Sequence, residues 1–525
     1  MTGGLIQLVA YGFDDIYLTK DPQITFFKVI YRRHTNFSTE QIPVYFTNPP
    51  DFGKKSTCQP PRAADLMGNT LLVVEVPKIR LVDEKAKFAW IKRLGFGMIK
   101  SIEVEINGRI IDRHYGEWLN IWSELTGEIT GNHNRGINNM IGNVSELYDF
   151  SSSKDSYTLY IPLKFWFCRN VGLSLPLICL QYSDIKINVE FEDAEKCYVL
   201  SPTHYIKCRD DIVNFIPYEY IEQNINGELH AGIFIDYDIS TKRLYYAKLT
   251  PNKITSIPVA HNFDISLGNQ TTINNILSSQ TGIKYSVVGK TSGFSTFPEF
   301  NYFSLAYPQQ KIRNLNIVNC FLLIDYHFLD TDERMKFAEG KHDYLIEQLF
   351  LTPSAQIDTA NTSVKLIGEH PCKLLAWVAQ QQYLYNANDL FNYTDSYQHK
   401  IFKTENPNIY MSEPVGKSLI IQDGVFMNGG AVASLRDSSY FNHNIPYKYS
   451  NVAISTGINI YSFANDPLIC QPTGTCNLSQ IDITEIKLNL SSLINVSNIA
   501  LFRGYALCYN IFRVSNGYCG LVFAR

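Results

Sequence analysis

Short apolar runs with a period of two, each closed by turn-forming residues, recur along most of this chain and restrict it to sheet architectures. The clearest lies between Lys100 and Tyr115. There Ile102, Val104 and Ile106 alternate with Glu103, Glu105 and Asn107, and Asn107-Gly108 supplies the pair that a two-residue hairpin demands. Asp184 to Glu192 repeats the pattern with Ile185, Ile187, Val189 and Phe191 on one side; Leu180 and Tyr182 sit on even positions, so a bulge is expected near Ser183. Thr70 to Pro77 reads as a buried strand. In the second half, Asp343 to Leu351, Cys372 to Gln380, Lys417 to Gln422, Ile481 to Leu490 and Tyr505 to Val514 have the same grammar. Evenly spread short strands with Gly, Pro and Asn between them indicate an all-β sandwich. A chain of 525 residues is too long for one such core, so two or more domains are expected.

Near the amino terminus a short arm and a turn at Lys20-Asp21-Pro22 precede an expected strand from Gln23 to about His34. Phe27, Val29 and Tyr31 point one way and Ile24, Phe26 and Ile30 the other, so both faces require apolar partners. Asn48 to Arg62 is a Pro/Gly-rich loop. Glu117 to Thr126 reads as a helix with Trp118, Trp122 and Leu125 on one face and Gly127 at its stop. Asp330 and Glu333 have the spacing of a capping box, which opens a helix running to about Glu339, before Gly340. Ala194 to Asn316 is rich in Asn, Ser, Thr and Gly, with strand-like pieces at Gly232 to Asp236 and Arg243 to Leu249; it reads as strands with long exposed excursions.

The motifs of chemistry are missing. There is no nucleophile elbow, zinc-protease helix, dinucleotide fingerprint or Cys/His cluster with metal spacing. Glu103 and Glu105 invite a glycosidase reading, but i, i+2 spacing on a strand makes them a solvated face. Gly289-Lys290-Thr291 lacks the glycine that a phosphate loop needs five positions earlier, where Lys284 stands. A net charge of −4 argues against a nucleic-acid grip, and Arg32-Arg33-His34 is too short a basic tract to change that. The 11 cysteines include no C-x-x-C pair, so free buried thiols in a reducing compartment are expected; Cys470 and Cys476 are the nearest two. With no basic leader and no membrane-length apolar run, a soluble protein made in the cytosol is expected, and the sequons at Asn36, Asn143, Asn361 and Asn392 read as polar loops. No catalytic, cofactor-binding or metal residue is assigned, and no cofactor.

Several segments carry a resemblance. Leu8-Val-Ala-Tyr-Gly12, Pro22-Gln-Ile-Thr-Phe-Phe-Lys28, Tyr31-Arg-Arg-His-Thr-Asn-Phe-Ser38, His114-Tyr-Gly-Glu-Trp-Leu119, Ile161-Pro-Leu-Lys-Phe-Trp-Phe-Cys-Arg-Asn170, His342-Asp-Tyr-Leu-Ile-Glu-Gln-Leu349 and the closing Tyr505 to Arg525 together resemble the major capsid proteins of nucleocytoplasmic large DNA viruses. Phe13-Asp14 and Lys20 depart from the pattern, outside the strand. The resemblance covers most of the chain except 194–316. It implies two consecutive eight-stranded antiparallel jelly rolls with short helices and long loop insertions: an arm at 1–22, a first roll at 23–330 and a second at 331–525, joined by the helix after Asp330. It implies a non-enzymatic subunit of the icosahedral virion capsid, assembled in the host cytoplasm, that forms a homotrimer and a pseudo-hexagonal capsomer. Implied partners are neighbouring capsomers, minor capsid proteins beneath the shell and host-surface glycans, without sequence-specific nucleic-acid binding. The alternatives are an assembly scaffold of the same fold and a carbohydrate-binding jelly roll, the latter marked by aromatics and carboxylates lining one groove.

Overall fold

The computed structural model describes residues 3–523 apart from 30, 82–86, 130–133, 202–203, 209–213, 217–219, 226–227, 240–241, 249–285, 290–291, 297, 306–311, 313–314, 387, 396–415, 451 and 497. Its frame is two antiparallel sandwiches. The first contains β1 (Phe37–Tyr45), β2 (Lys55–Cys58), β3 (Leu66–Val76), β4 (Ile99–Ile106), β5 (Arg109–His114), β6 (Tyr157–Pro162), β7 (Ile185–Phe191) and β8 (Asn319–Leu329). They form one sheet in the order β1-β8-β3-β6 and a facing sheet in the order β2-β7-β4-β5.

The second sandwich contains β9 (His342–Ile357), β10 (Asn361–Lys365), β11 (Pro371–Gln381), β12 (Ile420–Met427), β13 (Gly430–Asp437), β14 (Ile458–Ser462), β15 (Thr484–Leu490) and β16 (Ala500–Ser515). Its sheets run β9-β16-β11-β14 and β10-β15-β12-β13, the wiring of the first sandwich displaced by eight strands; Cys476–Asn477 adds to β11 and Tyr518–Leu521 to β16. This is a double jelly roll. Alternating residues of each strand fill the cores: Ile102, Val104, Ile106, Ile185, Ile187, Val189 and Phe191 in the first, Trp377, Ala379, Ile486, Leu488 and Phe502 in the second.

Antiparallel pairing sorts the connections to two ends. Phe37 opens β1 opposite Leu329, the last residue of β8, while Tyr45 lies opposite Phe321. The arm therefore leaves at one end and the 194–316 segment, which feeds β8 at Asn319, at the other, about 30 Å away along the strands. The second sandwich has the same polarity. His342 pairs with Val514 at the arm end and Ile357 with Ala500 at the insertion end.

The insertion is itself organised. His204–Cys208, Tyr220–Ile225, Glu228–Asp238, Arg243–Lys248, Val287–Gly289, Ser295–Thr296 and Pro298–Leu305 form a seven-stranded sheet with a small core around Phe215, Ile221, Phe234, Leu244 and Tyr246. Both strand-like pieces expected there are strands.

Other expectations are met or corrected locally. The hairpin turns at Asn107 and Gly108, with φ of 53° and 78° as a primed turn requires. The helix α1 (Gly116–Leu125) forms, and Gly116 is needed there because a Cβ would lie 2.0 Å from the Phe96 carbonyl oxygen. The helix α2 (Thr331–Glu339) begins at Asp330, whose carboxylate accepts from the Thr331 N–H at 2.8 Å, but Glu333 makes no return bond to the cap. Ser183 is not a bulge: Leu177–Cys179 is a turn of 3-10 helix, so the change of parity marks a bend before β7, and the bulge falls between Glu190 and Phe191. The expected strand from Gln23 to His34 is absent among its described residues, which lie exposed, and the first strand starts at Phe37. Its side chains are apolar on both faces, and none of the described residues covers either.

Candidate functional site

Two features stand out: the joint between the two sandwiches, and the uncovered arm.

The joint is organised by α1, which lies in the connection from β5 to β6. Trp118, Ile121, Trp122 and Leu125 pack against Leu349, Leu374, Ala376, Val378 and Tyr505 on the outer face of the β9-β16-β11-β14 sheet. Acids on the same helix reach across with them. Glu117 receives Arg503 in a two-pronged ion pair, 2.6 Å on each oxygen, together with the hydroxyls of Tyr505 (2.6 Å) and Tyr393 (3.0 Å), and Arg503 also donates to the Gln380 side-chain oxygen at 2.8 Å. Burial alone lowers the affinity of Arg503 for its proton, but Glu117 outweighs it and the guanidinium ends above its ordinary value. Burial and then Glu117 push both tyrosines well above theirs. The cluster thus gathers one guanidinium and two neutral hydroxyls around the Glu117 side chain.

Glu124, fully buried, is held by Arg93 and by the Ser455 N–H and hydroxyl at 2.6 and 2.8 Å. At a third point Glu347 pairs with Arg169 of the first sandwich and Lys373 of its own, while the Arg169 guanidinium lies 4.7 Å over the Trp122 ring. Burial draws the Lys373 ammonium below its ordinary value against the pull of Glu347. Nearby, Asp112 accepts from the Leu349 N–H at 3.0 Å, and toward the arm end the Tyr182 and Tyr518 rings meet tilted, with centroids 5.5 Å apart. Removing either partner of a buried pair leaves an uncompensated charge, so the joint holds the sandwiches at one relative position.

The arm is the opposite case. Its two short helices, Gly3–Val9 and Ile16–Thr19, bury no residue, and Leu18, Phe26, Phe27 and Tyr31 are 87%, 89%, 98% and 87% exposed. Leu5, Leu8, Val9, Phe13 and Tyr17 are exposed as well. So much continuous apolar surface marks an interaction segment. Arg32, Arg33 and His34 lie in it, at the exposed root of β1.

The other residues weighed in sequence fall apart as a site. Glu103 is not on a solvated face: β2 and β5 bring Lys55 and Arg113 over it at 2.7 and 2.6 Å, and it is buried. Glu105 accepts from Asn188 at 2.8 Å. Gly289 ends a strand of the insertion, while Lys290 and Thr291 lie outside the described residues. All eleven cysteines are free. Asn392 is buried and Asn143 half-buried, whereas Asn36 and Asn361 are exposed. Among the described residues no three His, Cys, Asp or Glu are grouped to hold a metal ion. A cleft of about 610 Å³ beside Tyr440 and Tyr447 has no carboxylate in its lining, which falls short of the groove that a sugar-binding roll needs. The missed residues are those of the joint. Glu117, Arg503 and Glu347 had no signal beyond their position next to apolar stripes.

Comparison with known proteins gives a consistent result. Residues 25–237 match the family described as major capsid protein N-terminus and residues 333–520 the family described as large eukaryotic DNA virus major capsid protein. A probable capsid protein 4 of Acanthamoeba polyphaga mimivirus is 38% identical over 100% of this chain and 99% of its own length. The major capsid protein of Pyramimonas orientalis virus is 32% identical over the whole of both. In structure, the chain is similar to the subunit of a quasi-atomic PBCV-1 virus capsid, with a TM-score of 0.61 at 22% identity over 95% of this chain and 100% of that one. The Faustovirus major capsid protein gives 0.63 at 12% identity over 96% and 94%.

Proposed function

This chain belongs to the major capsid proteins of large eukaryotic DNA viruses, and we propose that three copies close around a threefold axis into a capsomer with a nearly sixfold outline. It is a structural component of the virion capsid. The observation that carries the trimer is the duplication. Two sandwiches of the same wiring stand side by side with the same polarity, locked by the Glu117, Glu124 and Glu347 clusters. Three such rigid pairs present six similar blocks, which tile a flat lattice, and a repeated heterologous contact closes the ring without a loose edge.

The two ends of the block then have different tasks. The insertion between β7 and β8 projects outward, where host-surface glycans would meet it, and the arm lies beneath, against minor capsid proteins or neighbouring capsomers. The exposed Phe26, Phe27 and Tyr31 support that reading, since they need cover from outside the chain. In this reading the arm runs past the expected boundary at residue 22 to the start of β1 at Phe37, the first roll ends at 330 and the second spans 331–525, with assembly in the host cytoplasm.

Light scattering on a sizing column tests the trimer. Three chains of 59.9 kDa give about 180 kDa, and negative-stain images of that peak should be hexagonal. A folded monomer of about 60 kDa would sink the capsomer. Deletion of Met1 to Lys20 should spare the trimer and impair the lattice; an unfolded subunit would overturn the role given to the arm.

A further inference from the structure

Three cysteines lie in one row across three adjacent strands of the second sandwich. Cys372 in β11 is directly opposite Cys508 in β16 on one side and opposite Cys476 of the short strand Cys476–Asn477 on the other. Cys372 and Cys508 are wholly buried on the same core face, and Cys476 packs against that core while remaining partly open to solvent. The Cys372 thiol is close enough to Cys508 to help raise the Cys508 pKa, Cys372 donates to the Leu374 carbonyl at 3.3 Å, and Cys476 reaches the Met427 sulfur at 3.8 Å. Residues directly opposed on antiparallel strands have Cβ atoms about 4.5–5.5 Å apart. A disulfide takes about 3.5–4.5 Å, so closure needs only a small approach of the strands. The register slips between Cys372 and Leu374, where the ladder has room to move.

We propose that this row is a thiol relay: a low-molecular-weight disulfide reacts at Cys476, and the bond passes inward to end between Cys372 and Cys508. Cys476 is the one member of the row that solvent reaches. Its thiolate attacks a sulfur of oxidised glutathione, an S–S bond forms to Cys476, and one glutathione leaves as a thiol. Cys372 then attacks the Cys476 sulfur and expels the second glutathione. Finally Cys508 attacks the Cys372 sulfur and returns Cys476 to a thiol. In sum two protein thiols lose two electrons and two protons, and one glutathione disulfide becomes two thiols. Burial raises the pKa of the Cys476 and Cys508 thiols, so the attacking thiolate is a minor form and the exchange is slow and quickens as pH rises. The product staples β11 to β16, the two central strands of the sheet that faces the joint, when the protein moves from a reducing to an oxidising medium.

The test uses the full-length protein, incubated with oxidised glutathione, unfolded in the presence of N-ethylmaleimide, digested without reductant and analysed by mass spectrometry. The expected result is a Cys372 peptide linked to a Cys508 peptide, two fewer alkylated thiols than the eleven present at the start, and reversal by dithiothreitol. Cys372→Ala should leave glutathione trapped on Cys476, and Cys476→Ala should slow formation of the inner bond at least tenfold. Eleven alkylated thiols in the wild type, or a bond that stays on Cys476, to glutathione or to Cys372, would overturn the relay. Both of those readings come from the wild-type protein, so they stand even where a variant fails to fold.

Discussion

Asp423 offers a measurement in which structure sets both sign and size. It lies on β12 inside the second core, fully buried, with one oxygen accepting from the Trp377 indole N–H at 2.9 Å and the other without a partner. Arg436, opposite it in register, is turned away over the Tyr440 ring at 4.3 Å, and Asp437 adds charge of the same sign. Burial above all pushes the carboxyl from 3.8 to about 7. The folded chain therefore holds this proton more tightly than the unfolded one. The associated stability is complete below pH 3.8, declines as pH rises and is gone above about pH 7, and its full size is about 4 kcal/mol. Asp423→Asn keeps the shape and the bond from Trp377 but cannot ionise. Between pH 5 and pH 8.5 the variant should gain about 2–3 kcal/mol on the wild type, a widening of about 5–10 °C in the melting transition of the second sandwich. Thermal melts of both proteins followed by tryptophan emission across that range measure it, and all other titrating groups cancel in the difference. A gap that is the same at both pH values would refute the argument.

Three further outcomes follow from the joint and the helix ends. Arg503→Met leaves Glu117 buried with only hydroxyl partners and should cost about 3–5 kcal/mol, read as a fall in the urea midpoint; an unchanged midpoint would mean that the pair does not hold the sandwiches together. Gly116→Ala places a methyl 2.0 Å from the Phe96 carbonyl oxygen and should abolish soluble protein, so wild-type yield and melting would contradict the packing of α1. Asp330→Ala should remove about 1 kcal/mol through the lost cap on α2, checked by thermal melting, with no change counting against the cap.

What the sequence made legible was what repeats locally. Period-two runs such as Ile185 to Phe191, the Asn107-Gly108 turn and the stripe of α1 are written in neighbouring residues, and each took the expected form. The paired thiols and the joint are not local. Glu117 meets Arg503 and Glu347 meets Arg169 only because the chain turns the same wiring twice, and no spacing announces that. Glu103 was misread for the same reason, since the strands that cover it, β2 and β5, come from either side in sequence. The arm failed differently. Its alternation is real, but none of the described residues covers it, so the pattern of a buried strand appears on residues that are exposed.

The pairing of Phe37 with Leu329 has a consequence in time. The strand β1 leaves the ribosome first among the strands of its sheet and must wait for β8, the partner on its one paired side, until the whole insertion has been made. At about 5–20 residues per second this is a delay of about 15–60 s. During it the apolar edge of β3 lies open as well, because β8 inserts between β1 and β3. For that interval the nascent chain offers these edges to its own copies, and a more stable finished block would not shorten the wait.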